Sequence, residues 1–460
     1  MATFFFCGIG GIGMSSIALY LKRKGHTILG SDRSFDQNKN TQIKRRLEQA
    51  GIVLFPQDGT SVSSYINTFV VSSAVEDTIP DVKKAKELGL PIKLRAEVLA
   101  EILSEHFGIA VAGTSGKTTV TAMIGHILYQ LKKHPLMING GISENSYNGE
   151  APSNMLMDGD DICVIEADES DGSIERYIPD LAVVTNITLD HKTLDETRPL
   201  FKDFLSRARK GVVMNMDDAE SQNLNLDRPN IITFSASGNK SATLYATDIQ
   251  ESLKGIHFKI NDEAVFLPMI GRHNVENALA AVGLCMHMNI AIEESMGALQ
   301  TFLGTQRRMT HVGTAKGVFV FDDYAHNPAK IQAAISALKP LTKRIFAIYQ
   351  PHGFGPLRLM KDTLIETLKK QLNEQVEWVM LPVFYAGGTV NKDISSQDIV
   401  TPLQKAGKRA VVLEERKDVI GYVKKRACPN DSILVMGARD ASLSDFAKEI
   451  FNALEGKNEA

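Results

Sequence analysis

Val111-Ala112-Gly113-Thr114-Ser115-Gly116-Lys117-Thr118-Thr119 joins an apolar run, Phe107 to Ala112, to a helix-like pattern from Val120 to Leu131. Strand, glycine loop and helix in that order predict a phosphate-binding loop. Backbone N–H groups and a helix N-terminus face the anion there, and the helix dipole favours negative charge. Lys117 is placed to reach the outer phosphates, and the Thr118 hydroxyl to ligate magnesium. The usual loop sets its two glycines about five positions apart. Gly113 and Gly116 make this one shorter. A plain glycine turn would leave the run Gly-Lys-Thr-Thr between strand and helix without a reason.

The chain around this loop has 460 residues, too many for one ordinary core, so two or three domains are expected. It is 43% hydrophobic and 23% charged, a soluble globular composition, with a formal net charge of -3. That balance gives no electrostatic reason to expect nucleic acid or an anionic membrane as partner. No apolar run is long enough to span a bilayer. The start, Met-Ala-Thr-Phe-Phe-Phe, lacks a basic residue and is soon broken by glycines, so it reads as a first strand rather than a signal peptide. Cys7, Cys163, Cys285 and Cys428 are scattered without metal-ligand spacing, as expected of thiols in a reducing cytoplasm.

Upstream of the loop, Thr3 to Cys7 reads as a strand, Gly8-Ile9-Gly10-Gly11-Ile12-Gly13 as a second glycine loop, Met14 to Lys24 as a helix, and His26 to Gly30 as a strand ending in Ser31-Asp32. This is a Rossmann-type fingerprint, with Asp32 placed for a ribose hydroxyl. A tight structural turn would also account for the glycines. Thr68 to Ser73 is a further strand, ending in Ser72-Ser73; these are ligand positions in an open α/β sheet, and capping accounts for them equally. Pro80 to Leu88 and Arg95 to Glu105 read as helices.

Downstream, Asn145 to Asp160 reads as a loop, and Ile162 to Ile165 as a strand running into Glu166-Ala167-Asp168-Glu169-Ser170-Asp171. Carboxylates at a strand end, in a chain with a phosphate loop, suggest magnesium ligation, most of all by Glu166. Leu181 to Thr185 is a strand followed by Asn186 to His191, and His191 sits just past its end. Asn230 to Phe266 alternates in short strands, expected as an antiparallel flap. Gly271-Arg272-His273-Asn274-Val275-Glu276-Asn277 opens an apolar helix, and Arg307-Arg308 follows. Adjacent arginines suit phosphate neutralisation, or a charged surface. From Val312 onward strands and helices alternate again, through Asp322-Asp323-Tyr324-Ala325-His326-Asn327-Pro328 and Gln350-Pro351-His352-Gly353-Phe354-Gly355. The expected fold is α/β in three domains: a Rossmann-like domain over 1–105, a central P-loop ATPase-like parallel sheet over 106–311, and a second Rossmann-like domain over 312–460.

These motifs in this order resemble the Mur ligase family over nearly the whole chain. The glycine loop at Gly8 to Gly13 is most similar to the branch that acts directly on UDP-N-acetylmuramate. The resemblance implies an ATP-dependent amide ligase that joins an amino acid, L-alanine first among candidates, to the sugar-nucleotide carboxylate through an acyl phosphate. It implies ATP and Mg2+ (or Mn2+) as cofactors and a cytoplasmic location. By the same resemblance, Gly113 to Thr119 bind ATP; Lys117, Glu166, His191 and His326 are catalytic; and Thr118, Glu166 and His191 hold metal. Asn274 approaches adenine, Asp323 the ribose and Arg308 the phosphates. Gly8, Gly10, Gly11, Ile12, Gly13, Asp32, Ser72 and Ser73 bind the UDP-sugar. His352 and Arg358 meet the amino acid. Lys202 matches the spacing of a carbamylated, metal-bridging lysine in other branches, or is an ordinary helix lysine. Closure of the third domain over the second is implied for catalysis.

The sequence departs from the family pattern at three points. Ser115 stands where this branch has histidine, Asn327 replaces a second histidine, and Gly353-Phe354-Gly355 replaces an arginine-bearing run. Those departures keep other readings open. One is a recycling ligase that takes L-alanyl-γ-D-glutamyl-meso-diaminopimelate. Another is a non-catalytic nucleotide-binding descendant. An NAD-dependent oxidoreductase, read from Gly8 to Gly13 alone, leaves Lys117 and Glu166 unexplained.

Overall fold

Short, almost wholly apolar strands separated by amphipathic helices are the pattern of parallel sheets covered on both faces. The computed structural model describes residues 1–73, 75–150, 153–188, 193–385 and 391–457, and shows three such sheets. The first is formed by β1 (Thr3–Cys7), β2 (Thr27–Ser31), β3 (Val53–Phe55), β4 (Thr68–Val71) and β5 (Ile92–Leu94), in the order β3-β2-β1-β4-β5. All its pairings are parallel. Cys7 lies opposite both Ser31 and Val71, so Gly8 to Gly13, Asp32 and Ser72-Ser73 emerge at one edge of the sheet, where its winding reverses. Sequence patterning placed no element between Asp32 and Thr68. The structure has helices Arg33–Asp36 and Thr41–Gln49 there, as well as β3.

The second sheet contains β6 (Phe107–Ala112), β7 (Pro135–Ile138), β8 (Met155–Met157), β9 (Ile162–Glu166), β10 (Leu181–Val184), β11 (Gly211–Asn215), β12 (Ile231–Ser235), β13 (Leu244–Ser252), β14 (Gly255–Ile260) and β15 (Glu263–Leu267). Their order is β15-β14-β13-β12-β11-β10-β6-β9-β7-β8. Two expectations are corrected here. The stretch Asn145 to Asp160 is not all loop, because β8 within it pairs antiparallel with β7. The segment from Asn230 does not begin as an antiparallel flap, because β12 pairs parallel with β11, and β13 parallel with β12. Alternating short strands look alike in either direction. The connection decides, and the stretch between β11 and β12, with its helix Ala219–Gln222, is a crossover rather than a hairpin.

The third sheet contains β16 (Thr310–Ala315), β17 (Val318–Asp323), β18 (Ile345–Gln350), β19 (Val376–Met380), β20 (Ala410–Val412) and β21 (Ser432–Gly437), in the order β16-β17-β21-β18-β19-β20. Only β16 was not anticipated. It includes Val312, where a domain start was expected, and pairs antiparallel with β17. Lys316 and Gly317, with φ of 51° and 77°, make the tight turn between them.

Contacts divide the chain into two units. One comprises Met1–Ile249, His257–Pro268 and Val275–Leu303; the other Gln250–Ile256, Met269–Asn274 and Gly304–Ala460. In the first unit, one buried cluster runs from Phe6, Ile17 and Leu99 to Ile165, Val184 and Phe204, packing the first two sheets together. In the second, Leu338, Trp378 and Leu403 fill one face of the third sheet, and Phe346, Val435 and Phe446 the other.

Candidate active site

The phosphate loop follows β6, and the helix Lys117–Gln130 begins at its lysine. Gly113 and Gly116 have φ of 133° and 88°, a region that disfavours side chains. A Cβ on Gly113 would also collide with Thr185 Oγ1, and one on Gly116 with Asn277 Oδ1. The loop is braced by the turn after β10. Thr114 N donates to the Asn186 carbonyl at 3.0 Å, Ser115 N to Asn186 Oδ1 at 3.0 Å, and Thr185 Oγ1 to the Ser115 carbonyl at 2.5 Å. Thr118 and Thr119 are buried at the helix start.

Lys117 Nζ donates to the Gly113 carbonyl at 2.8 Å and to Glu169 Oε2 at 2.8 Å, with Asp168 Oδ1 at 3.6 Å. Burial works against its charge, but Asp168, Glu169 and Glu166 outweigh that and hold its ammonium above the usual lysine range. Burial pushes Asp168 up, yet Lys117, the bonds from Ser170 and Arg95 bring it below the ordinary carboxylate range. The acidic run is therefore no solvated turn: it is the counter-charge of the loop lysine.

Glu166 ends β9, which pairs with β6 so that Val111 lies opposite Glu166. Register alone thus sets its carboxylate beside the phosphate loop, where Glu166 Oε1 accepts from Gly140 N at 2.9 Å. The hydroxyl of Thr118 and the carboxylate of Glu166 are hard oxygen donors, the chemistry that magnesium takes. Among the described residues no group of three His, Cys, Asp or Glu side chains is assembled to hold a metal. His191 lies outside the described residues. Lys202 stands exposed on the helix Leu194–Arg207, the surface position that the sequence also allowed.

Around the first glycine loop, Gly8 N and Ile9 N donate to the Ser31 carbonyl at 2.8 and 3.1 Å. Asp32 Oδ2 accepts from Gly10 N at 2.8 Å, while Oδ1 accepts from Ser34 N and Oγ at 2.8 and 2.6 Å. Both oxygens of Asp32 thus shape the loop and cap the helix after it. Arg95 was missed at the sequence level. Its guanidinium passes within 3.2 Å of where a Cβ on Gly13 would sit, and pairs with Asp171 at 2.9 Å, linking this loop to the acidic run. A lone arginine at the start of a helix carries no signal until the strand order is known.

In the second unit, Asn274 is buried and its amide donates to the Ile270 carbonyl at 2.8 Å. In the first unit, Asn277, one helical turn further on, is the side chain set against Gly116. Spacing of three on a helix was the available signal. Asp323 Oδ2 accepts from Met309 N and Oδ1 from Ala325 N, both at 2.7 Å. Burial pushes Asp323 up to about 6, against the pull of Arg308 and those two N–H groups. Arg308 lies over the Tyr324 ring at 5.5 Å. Arg307 is instead locked inward by the carbonyls of Gly437 and Asp440 and by Asp322. His326 and His352 meet edge to face at 5.1 Å, so the catalytic and amino-acid candidates of this unit share one place. Arg358 is already engaged by Asp393 and by the Asn391 carbonyl, which accepts from it at 3.0 Å. To meet an amino-acid carboxylate it would have to exchange that exposed pair. A carboxylate thirty-five residues along the chain from Arg358 was not legible as its partner.

Three stretches match family descriptions: residues 3–107 the "Mur ligase family, catalytic domain", 111–285 the "Mur ligase middle domain", and 307–439 the "Mur ligase, glutamate ligase domain". The chain is 34% identical to the UDP-N-acetylmuramate–L-alanine ligase of Agrobacterium fabrum, over 99% of this chain and 98% of that one. It is also 34% identical to the enzyme of that name from Methylorubrum extorquens, over 94% of each. Among solved structures it is similar to the UDP-N-acetylmuramate-alanine ligase MurC of Thermotoga maritima, with a TM-score of 0.79 and 24% identity over all of both chains. A murein peptide ligase from Psychrobacter arcticus aligns with a TM-score of 0.69 and 22% identity, again over all of both chains.

Proposed function

The chain belongs to the Mur ligase family, and from that premise we propose that it joins L-alanine to the carboxylate of UDP-N-acetylmuramate at the expense of ATP, in cytoplasmic peptidoglycan precursor synthesis. The observation that carries this reading is the β6 loop with Lys117 inside it and Glu166 beside it in register, on a chain similar over its whole length to ligases of that name. The muramoyl carboxylate attacks the γ-phosphorus, the bond to ADP breaks, and an acyl phosphate forms. The amine of alanine then attacks the acyl carbon, loses a proton, and inorganic phosphate leaves.

Lys117 trades its carboxylate partners for phosphate oxygens and stabilises charge on the transferring group. A magnesium (or manganese) ion held by Thr118 and Glu166, with His191, would neutralise further phosphate charge. We assign Gly8 to Gly13 with Ser72 and Ser73 to the UDP-sugar, and Asn274, Arg308 and Asp323 to ATP. Because Arg358 is engaged by Asp393, His352 with its neighbour His326 is the stronger candidate near the amino acid.

Asp323 makes the ATP assignment testable by pH. A carboxylate accepts ribose hydroxyls best when ionised, and Asp323 is raised to about 6. The KM for ATP is therefore expected to rise as pH falls below about 6, approaching tenfold per unit, and to be flat above about 7. An acid limb unchanged in D323N would remove Asp323 from that role.

The reaction is tested by phosphate release from ATP and magnesium with UDP-N-acetylmuramate, offering L-alanine, glycine, L-serine and L-alanyl-γ-D-glutamyl-meso-diaminopimelate in parallel. Release with L-alanine is expected. Release with the tripeptide alone would move the chain to the recycling branch. That arm has a structural reason, since among the described residues no heavy atom beyond Gly355's chain neighbours and its own helix backbone lies within 4 Å of a Cβ built on Gly355.

A further inference from the structure

Two binding loops of the first unit are joined by a pair of buried asparagines that the reaction scheme does not use. The antiparallel pairing of β7 and β8 sets Ile138 opposite Met155, so Asn139 and Asn154 face each other just beyond it, with Asn139 N donating to the Asn154 carbonyl at 2.8 Å. The Asn154 amide reaches three acceptors: Ser16 Oγ at 2.6 Å, the Ile12 carbonyl at 3.0 Å and the Asn139 carbonyl at 3.2 Å. Ile12 begins the helix that follows the first glycine loop. On the other side, Asn139 Nδ2 donates to the Thr118 carbonyl at 3.1 Å, and the next N–H, Gly140, donates to Glu166 Oε1 at 2.9 Å. Continuous hydrogen bonding thus runs from the first glycine loop to the two residues assigned to the metal and ATP.

We propose that Asn154 is a positioning residue that couples occupancy of the Gly8–Gly13 loop to the placement of Thr118 and Glu166. Its amide has two hydrogens for three acceptors, so it cannot satisfy all three fully. A ligand that draws the start of the Ile12 helix toward itself moves the Ile12 carbonyl and Ser16 together, because Ser16 Oγ also donates to the Ile12 carbonyl at 3.2 Å. The amide then shares its hydrogens differently between that helix and the Asn139 carbonyl. Asn139 carries the change to the Thr118 carbonyl, and Gly140 to Glu166. Ser16, Asn139 and Asn154 are buried, so a redistribution among them has little water to compensate it. The sugar-nucleotide would in this way prepare the phosphate loop before ATP reacts. This rests on the UDP-N-acetylmuramate ligase reading.

The test is calorimetric titration of the full chain with adenylyl imidodiphosphate and magnesium, with and without saturating UDP-N-acetylmuramate. The wild type is expected to bind the analogue about tenfold more tightly when the sugar-nucleotide is present. In Asn154→Ala that linkage is expected to fall to less than about twofold, while each ligand alone binds within about threefold of wild type. A residue that only cements the fold would lower melting temperature and both affinities without removing linkage. Ser16→Ala, which removes the shortest arm, is expected to lose part of the linkage and decides the matter if Asn154→Ala does not fold. Linkage that survives in the folded variants, or its absence in a wild type that binds both ligands, overturns the relay alone. A wild type that binds neither ligand overturns the ligase reading and the relay with it.

Discussion

Replacing Lys117 with methionine is expected to lower phosphate release by about a thousandfold, with UDP-N-acetylmuramate affinity kept within about threefold. The size follows from what the ammonium does. It sits in a largely buried loop where a charge-stabilising donor is worth far more than in water, and nothing else in the loop carries a positive charge. The side chain also holds the acidic run. Glu169 is only 8% exposed at its side chain, and without Lys117 it becomes a buried carboxylate lacking its ion-pair partner. A stability loss of about 3–5 kcal/mol is the ordinary scale for breaking such a pair. Melting curves with and without ATP separate the two effects, since the wild type is stabilised by ATP and the variant is not. Glu169→Gln is the complementary change. It leaves the lysine in place and removes its nearest competitor for phosphate, so the KM for ATP is expected to fall a few-fold. A KM that rises instead would mean that Glu169 positions Lys117 rather than competing for it.

The sites that were legible in the sequence are those set by a local pattern. Gly113 to Thr119 needs only a strand before it and a helix after it, and both are present. Glu166 was legible because a strand end is a fixed place, and the parallel register of β9 with β6 turns that place into proximity. What stayed hidden depends on distant pairing. Arg95 is unremarkable until β5 and β1 share a sheet and Gly13 leaves room for its guanidinium. Glu169 was read with its neighbours as part of a magnesium-side acidic cluster, and only the fold sets it against Lys117. Asn186 and Thr185, which hold the backbone of the phosphate loop, lie 71 and 70 residues beyond Ser115, and only the pairing of β10 with β6 brings them there. The direction of β12 was misjudged for the same reason, because a strand's partner is a property of the connection rather than of its own residues.

Arg307 and Arg308 are adjacent in sequence and are expected to fail in different ways. Arg307→Ala is expected to destabilise the second unit by about 3–5 kcal/mol, because it strips the cation from a buried carboxylate. Asp322 is 4% exposed at its side chain and lies 3.5 Å from Arg307 Nε; Ser444 Oγ, at 2.5 Å, would remain as a donor to it. Burial already pushes Asp322 above the ordinary carboxylate range, and Arg307 opposes that rise. Removing Arg307 therefore raises it further. An acid whose folded pKa exceeds its unfolded value favours the fold while protonated and loses that contribution as pH rises through the folded value. The stability deficit of Arg307→Ala should accordingly be largest at about pH 8 and smaller at about pH 5. Arg308 also faces a buried carboxylate, Asp323, but the N–H groups of Met309 and Ala325 hold that carboxylate as well, and the guanidinium itself lies over Tyr324. Arg308→Ala is expected to cost less stability than Arg307→Ala, about 1–2 kcal/mol, while kcat/KM for ATP falls about a hundredfold. Denaturant unfolding of the two variants at both pH values, beside their ATP kinetics, checks the division. Equal loss of stability in both would mean that the pair acts as one structural clamp, and the assignment of Arg308 to phosphate would then have to be withdrawn.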